Sequence, residues 1–166
     1  MSAVNIRPLD RPGDLGWVVQ AHGELYAREF GWDTDFERMV AGIVGEYATK
    51  TDPEHQAAWI AEVDGERAGS IFCMPAGEPE CAKLRLLVVD PRFRGLGVGG
   101  ALVDECMRFA SEAGYRRMTL WTDGQLESAR KIYQAAGFEL VDETPHHSFG
   151  HDLVGQNWEM MLPRLQ

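Results

Sequence analysis

Basic residues are scarce in this chain. Of its 166 residues, 16 are Lys or Arg and 26 are Asp or Glu, a formal net charge of −10. Nucleic-acid binding rests on basic patches that displace counterions. No stretch here concentrates enough of them, so a nucleic-acid partner is excluded. Long apolar runs are absent as well. LLVV at 86–89 is among the longest, far below the roughly 20 residues that span a bilayer, so no membrane partner is expected. The opening MSAVNIRPLDRPGDLGW holds no apolar segment of the secretory type. Cys73, Cys81 and Cys106 are odd in number and show no C-x-x-C spacing. That argues against a disulfide framework and for reduced thiols in a cytoplasmic protein.

The length suits one domain over residues 1–166, large enough to bury a core without disulfides. Its acidic balance serves solubility and is also compatible with a cationic substrate such as an amine.

The order of elements is mixed. AVNIRP (3–8) reads as a first strand. A helix follows from about Asp14 to Phe30, with Leu15, Val18, His22, Leu25 and Glu29 on one stripe. Thr34 and Glu37 read as a capping box for a second helix marked by Phe36, Met39, Val40, Ile43, Val44 and Tyr47. Two β-type runs, 57–63 and 66–74, flank Asp64-Gly65, a strong hairpin signal. KLRLLVV (83–89) reads as a buried central strand. A glycine-rich turn leads into a helix ending near Ala113 and Gly114. Then come a strand (116–122), a short helix (127–137), and strands at 138–141 and 156–162, with DETPHHSFGHDLVG between them read as a loop. This order predicts an α/β (α+β) domain, with a mostly antiparallel mixed sheet of about six or seven strands flanked by about four helices.

The glycine-rich turn, RFRGLGVGGAL (92–102), carries the chemistry. Gly95, Gly97 and Gly100 spell the dinucleotide fingerprint G-x-G-x-x-G, and Asp123 stands near the distance of a ribose-binding acid. Against that reading, Asp90 to Arg94 separate the strand from the first glycine, only one βαβ unit is visible, and two arginines flank the loop. The alternative spelling is Arg94, Gly97, Gly99, or R-x-x-G-x-G. Glycines let successive amides converge on a pyrophosphate, the helix start adds its positive end, and Arg94 adds charge-assisted hydrogen bonds.

VVDPRFRGLGVGGAL (88–102) resembles the acetyl-CoA motif of the GNAT superfamily of N-acetyltransferases, and SARKIYQAAGF (128–138) resembles that family's late helix. HGELYAREFGW, KLRLLVVDP, LWTDG and PHHSFGHDLVGQNWE look like the acetyltransferase domain fused behind MarR-type regulators. This chain would be a free-standing version. The resemblance implies acetyl transfer from acetyl-CoA, the donor cosubstrate, to an amine. Tyr26, Phe30 and Trp32 favour a small-molecule acceptor over a protein amine. An NAD-type oxidoreductase and a non-catalytic acyl-CoA-binding module are the alternatives, and a homodimer is left open.

The same resemblance implies that Leu87, Val88 and Val89 pair with the pantetheine arm. The pyrophosphate would lie on Arg94, Gly95, Leu96, Gly97, Val98 and Gly99. Tyr133 would protonate the departing thiolate. Where many members carry an asparagine seven residues before the tyrosine, this chain has Leu126 with Gln125 beside it, so Gln125 is the candidate contact. The strand that carries a catalytic glutamate in some members has Lys83 and Arg85. The general base is then a water chain or comes from elsewhere, the best candidates being His22, Glu24 and Glu29 on the first helix and the loop carrying His146, His147 and His151. Those three histidines lack the fixed register of a metal site, and no metal is expected.

Overall fold

A computed structural model describes residues 3–163. Seven strands form one sheet: β1 (Val4–Pro8), β2 (Ala57–Val63), β3 (Glu66–Pro75), β4 (Cys81–Val89), β5 (Arg117–Asp123), β6 (Glu139–Ser148) and β7 (His151–Met161). Their spatial order is β1-β2-β3-β4-β5-β7-β6. Every neighbouring pair is antiparallel except β4 and β5. The helices are α1 (Asp14–Phe30), α2 (Thr34–Thr49), α3 (Val98–Glu112) and α4 (Glu127–Ala136).

Strand alternation sorts the side chains into two layers. Ala58, Ile60 and Phe72 face α1 and α2, meeting Val18, Phe36, Val40 and Val44. Trp59, Ala61, Ile71 and Leu84 face α3 and α4, meeting Leu102, Val103, Cys106 and Tyr133. The sheet is thus covered on both faces. A buried charge cluster pins the start of α1 to the sheet. Arg7 of β1 and Arg67 of β3 both grip Asp14, at 2.8 and 2.9 Å.

Two expectations need correction. The cap of α2 is Asp33, not Thr34. Asp33 is extended, and its carboxylate accepts from the Asp35 amide at 3.0 Å. One residue further back, it reaches the free amides of the first turn. Thr34 is already helical, and Glu37 instead covers Gly23, where a Cβ would come within 2.4 Å of its carboxylate. Second, the segment expected as a loop between the last strands is a β-hairpin. β6 and β7 pair from Glu139↔Glu159 to Ser148↔His151. Phe149 and Gly150 form the turn, with φ of 59° and 84°. A bulky residue seldom adopts such a φ. Phe149 is held there by packing on Trp32 and Phe36, at 5.0 and 5.1 Å between ring centres.

Candidate active site

β4 and β5 begin side by side and then part. Their pairing covers only Cys81↔Arg117, Ala82↔Met118 and Lys83↔Thr119. β4 stays paired with β3 as far as Gly69↔Val89. Its β5-side edge is therefore without a strand partner after Lys83. A bulge coincides with the parting. Phe72 pairs Arg85 and Ser70 pairs Val88, leaving one extra residue on β4. Leu86 takes the strained left-handed conformation, φ 56°, and the Ser70 hydroxyl donates to its carbonyl at 3.0 Å. Such an insertion bends a strand and re-aims the residues beyond it.

Beyond β4, the Asp90 carboxylate accepts from the Arg92 amide at 2.9 Å and starts a short 3-10 turn, Pro91–Phe93. Gly95 and Gly97 then take φ of 82° and 78°, and α3 begins at Val98. Among the described residues, no backbone carbonyl accepts from the amides of Gly95 to Gly100. Six consecutive donors at a helix start form a cradle for an anion. Gly99 has a further duty: a Cβ there would lie 2.5 Å from Ile132 of α4, so it lets the two helices approach.

A cavity of about 580 Å³ runs from this cradle along the free edge of β4. Leu87, Val88, Val89, Arg94, Gly95, Gly97, Val98, Gly99 and Gln125 line it; Leu96 does not and is exposed. Glu29 of α1 lines it too. Its carboxylate accepts from the Arg94 guanidinium at 2.5 Å, which fixes that arginine over the cradle entrance.

A second cavity of about 340 Å³ lies on the α1/α2 side of the gap. It shares Tyr26, Leu87, Leu126 and Ala129 with the first, so the two adjoin across these side chains. His22, Tyr133, Asp123 and His146 line it. His22 is buried; its Nδ1 donates to the Val18 carbonyl at 2.7 Å, and its Nε2 has no partner. Burial outweighs that hydrogen bond and lowers its pKa to about 4. Burial likewise raises the Tyr133 phenol well above the ordinary range. The Tyr26 phenol is pushed up to about 12 by burial, with Glu29 and Asp123 adding to it.

Asp123 ends β5 and is buried. Its Oδ1 lies 2.9 Å from His146 Nε2, and His146 Nδ1 lies 2.9 Å from the Ser148 hydroxyl. Burial raises the Asp123 carboxyl, and His146 pulls it part of the way back. The β6–β7 hairpin brings His146 and Ser148 here because its tip docks on the α1–α2 junction. The Asp33 amide donates to the Phe149 carbonyl at 3.2 Å, and His151 Nε2 lies 3.0 Å from the Gly31 carbonyl. His147 pairs instead with exposed Asp152. Among the described residues the three histidines form no metal-ligating group.

A model of the acetyltransferase (GNAT) family matches residues 19–138. The chain belongs to the GNAT acetyltransferase family. It is 31% identical over 147 residues to an uncharacterized N-acetyltransferase of Schizosaccharomyces pombe, covering 88% of this chain and 89% of that one. It is 32% identical over 114 residues to N-acetyltransferase 8B of Homo sapiens, covering 65% of this chain and 50% of the human protein. An N-acetyltransferase of Staphylococcus aureus Mu50 superposes with a TM-score of 0.79 at 19% identity, over 98% of this chain and all of that one. A Salmonella typhimurium protein described as an acetyltransferase, solved with its cofactor acetyl-CoA, superposes with a TM-score of 0.77 at 14% identity, over 99% and 97% of the two chains. At such identities the superpositions show the fold. The GNAT kinship makes the chain an N-acetyltransferase with acetyl-CoA as donor, and neither alternative reading finds support.

Sequence reasoning places nine of its ten cofactor candidates on one cavity and misses the pair Asp123–His146. It marks Asp123 only as a ribose-binding acid. The place of Asp123 at the C-terminal end of a strand beside the glycine-rich turn is the available signal.

Proposed function

We propose that this GNAT enzyme acetylates a small-molecule amine held in the second cavity, using acetyl-CoA held in the first. The carrying observation is the junction where β4 leaves β5. There an anion cradle and its cavity meet a second cavity lined by proton-handling groups.

The fit to acetyl-CoA rests on the cradle's free amides and the free edge of β4. Gly95 to Gly99 and Arg94 hold the pyrophosphate; Leu87 to Val89 pair with the amides of the pantetheine arm; Gln125 contacts the arm from the other side. At the junction, the Ser148 hydroxyl takes a proton from the acceptor ammonium as it passes its own to His146 Nδ1, and Asp123, bonded to Nε2–H, holds the imidazole in position and balances the positive charge it gains. The amine nitrogen forms a bond to the acetyl carbon. A β4 amide stabilises the oxyanion that develops. The carbon–sulfur bond breaks, Tyr133 gives its proton to the departing thiolate, and the second proton of the amine nitrogen returns to the Tyr133 phenolate as the neutral amide forms. The raised pKa of Tyr133 keeps that proton on the phenol at every working pH. His22, with so weak an imidazole, serves as a hydrogen-bond acceptor from substrate through Nε2. Glu29 positions Arg94.

The segments HGELYAREFGW, KLRLLVVDP, LWTDG and PHHSFGHDLVGQNWE support a place nearest the MarR-fused acetyltransferase domains. The three buried free thiols support the cytoplasm. Leu140 and Val141, exposed on the outermost strand, support a homodimer through that edge. The test of the enzymatic reading is thiol release from acetyl-CoA with a panel of small amines. A rise in Tm with acetyl-CoA but not NAD, plus turnover of at least one amine, is expected; no shift and no turnover would refute it.

A further inference from the structure

Resting on the reading of the second cavity as the acceptor site, we infer that the acceptor carries an anionic group beside its amine: it is a free amino acid or a closely similar amino-carboxylate. The observation is a pair of cations that share one distant, half-exposed acid, Glu46. Lys83 and Arg85 sit two apart on β4, so they share one face of the sheet. Arg85 contacts Glu46 of α2, which makes it the α1/α2 face, and both line the second cavity.

Neither has a close counter-ion. The Arg85–Glu46 contact is long, 3.8 Å, and Glu46 is half exposed. Lys83 has no hydrogen-bond or ion-pair partner among the described residues. The contrast lies within the same chain, where acids outnumber bases. Arg7 and Arg67 meet Asp14 at 2.8 and 2.9 Å, and Arg94 meets Glu29 at 2.5 Å. Burial, and then the neighbouring Arg85 charge, hold the Lys83 ammonium below the usual lysine range. Two half-buried like charges repel each other and lose hydration, with only the distant Glu46 carboxylate to offset part of the loss. A carboxylate between them would relieve both effects, and Arg85 offers the forked donor geometry that suits one.

The other polar pole of the cavity is Asp123 with His146, where an ammonium fits. The rest of the wall includes apolar Phe36, Met39, Ile43 and Phe149, against which an apolar side chain would pack. A molecule with an amine, a carboxylate and an apolar body matches all three.

The test is the rate of thiol release with the free amino acids and with their decarboxylated counterparts, for example phenylalanine against phenethylamine and leucine against isopentylamine. Wild type should favour an amino acid over its matched amine by about tenfold or more in kcat/KM. Arg85→Gln and Lys83→Gln should each lower that kcat/KM about tenfold, chiefly through KM, and leave the matched amine unaffected. Arg85→Lys should recover part of the loss. Removing cations that lack close partners should not lower Tm. Equal rates for both members of every pair, or equal losses on both in the variants, would overturn the inference. If no amino acid turns over, binding of the N-acetylated amino acids decides: equal affinity for wild type and the double variant overturns it. The acetyl-CoA thermal shift, measured on the same proteins, tells failure of this inference from failure of the donor site.

Discussion

His146 of β6 reaches Asp123 of β5 across the intervening β7, with Nε2 2.9 Å from the carboxylate, although 23 residues separate them in the chain. The hydrogen-bonded carboxylate orients the ring. His146→Gln should lower kcat by roughly 10²-fold, within the range for a positioned base. Asp123→Asn should cost less, because an amide oxygen can still accept the ring hydrogen bond and orient the imidazole. A His146→Gln variant within about threefold of wild-type turnover would assign the base elsewhere.

Tyr133→Phe removes one hydroxyl and keeps the ring against Phe138, 5.9 Å away. At saturating acceptor, kcat should fall roughly 10²–10⁴-fold while acetyl-CoA affinity barely changes. Turnover within about threefold of wild type, with chemistry rate-limiting, would leave Tyr133 a packing residue.

Gly97 has open space where a Cβ would go, but φ of 78°. Gly97→Val therefore strains the backbone at the cradle without a clash. It should cost about 1–2 kcal/mol in the free protein. It should also abolish the stabilisation by acetyl-CoA, worth about 2.7 kcal/mol in wild type at 100 times Kd. Retention of the full ligand-induced Tm shift would remove the cradle from the donor site.

Stability should fall as pH drops from about 6.5 toward 4. His22 is protonated in the unfolded chain at 6.5 but in the native core only near 4. The unfolded state thus binds more protons in that window, and up to about 3 kcal/mol is lost across it. Urea titrations of wild type and His22→Gln between pH 7 and 5 check this; the variant should lose most of the slope.

At lower pH Asp14 takes over. Burial alone would raise its carboxyl, but hydrogen bonds from Arg7, the Arg11 amide and Arg67 outweigh it and hold the pKa well below the usual range. Its contribution is complete above the unfolded carboxylate pKa and is lost as pH falls through the depressed native one. Asp14→Ala leaves buried Arg7 without its main partner and should cost about 3–5 kcal/mol at pH 7, measured by chemical denaturation.

Local chemistry carries most of the scaffold in the bare sequence. Apolar spacing of 3.6 and 2 residues follows from how a helix or strand buries one face, so α1, α3 and the β2–β3 hairpin were legible from residue order alone. The glycines at 95 and 97 were legible as a candidate cradle for the same reason: a left-handed backbone and free amides at a helix start are local properties. What the chain's order could not convey is meeting across distance. The parting of β4 from β5 depends on a bulge at Leu86, a leucine with no local sign of a left-handed φ. The hairpin turn at Phe149-Gly150 is held by Trp32 and Phe36, more than a hundred residues away. Only that docking brings His146 to Asp123, and only the packing of α2 over β4 leaves Lys83 and Arg85 facing a cavity without a close acid. These arrangements are set by long-range packing, which fixes side-chain partners that no periodicity encodes.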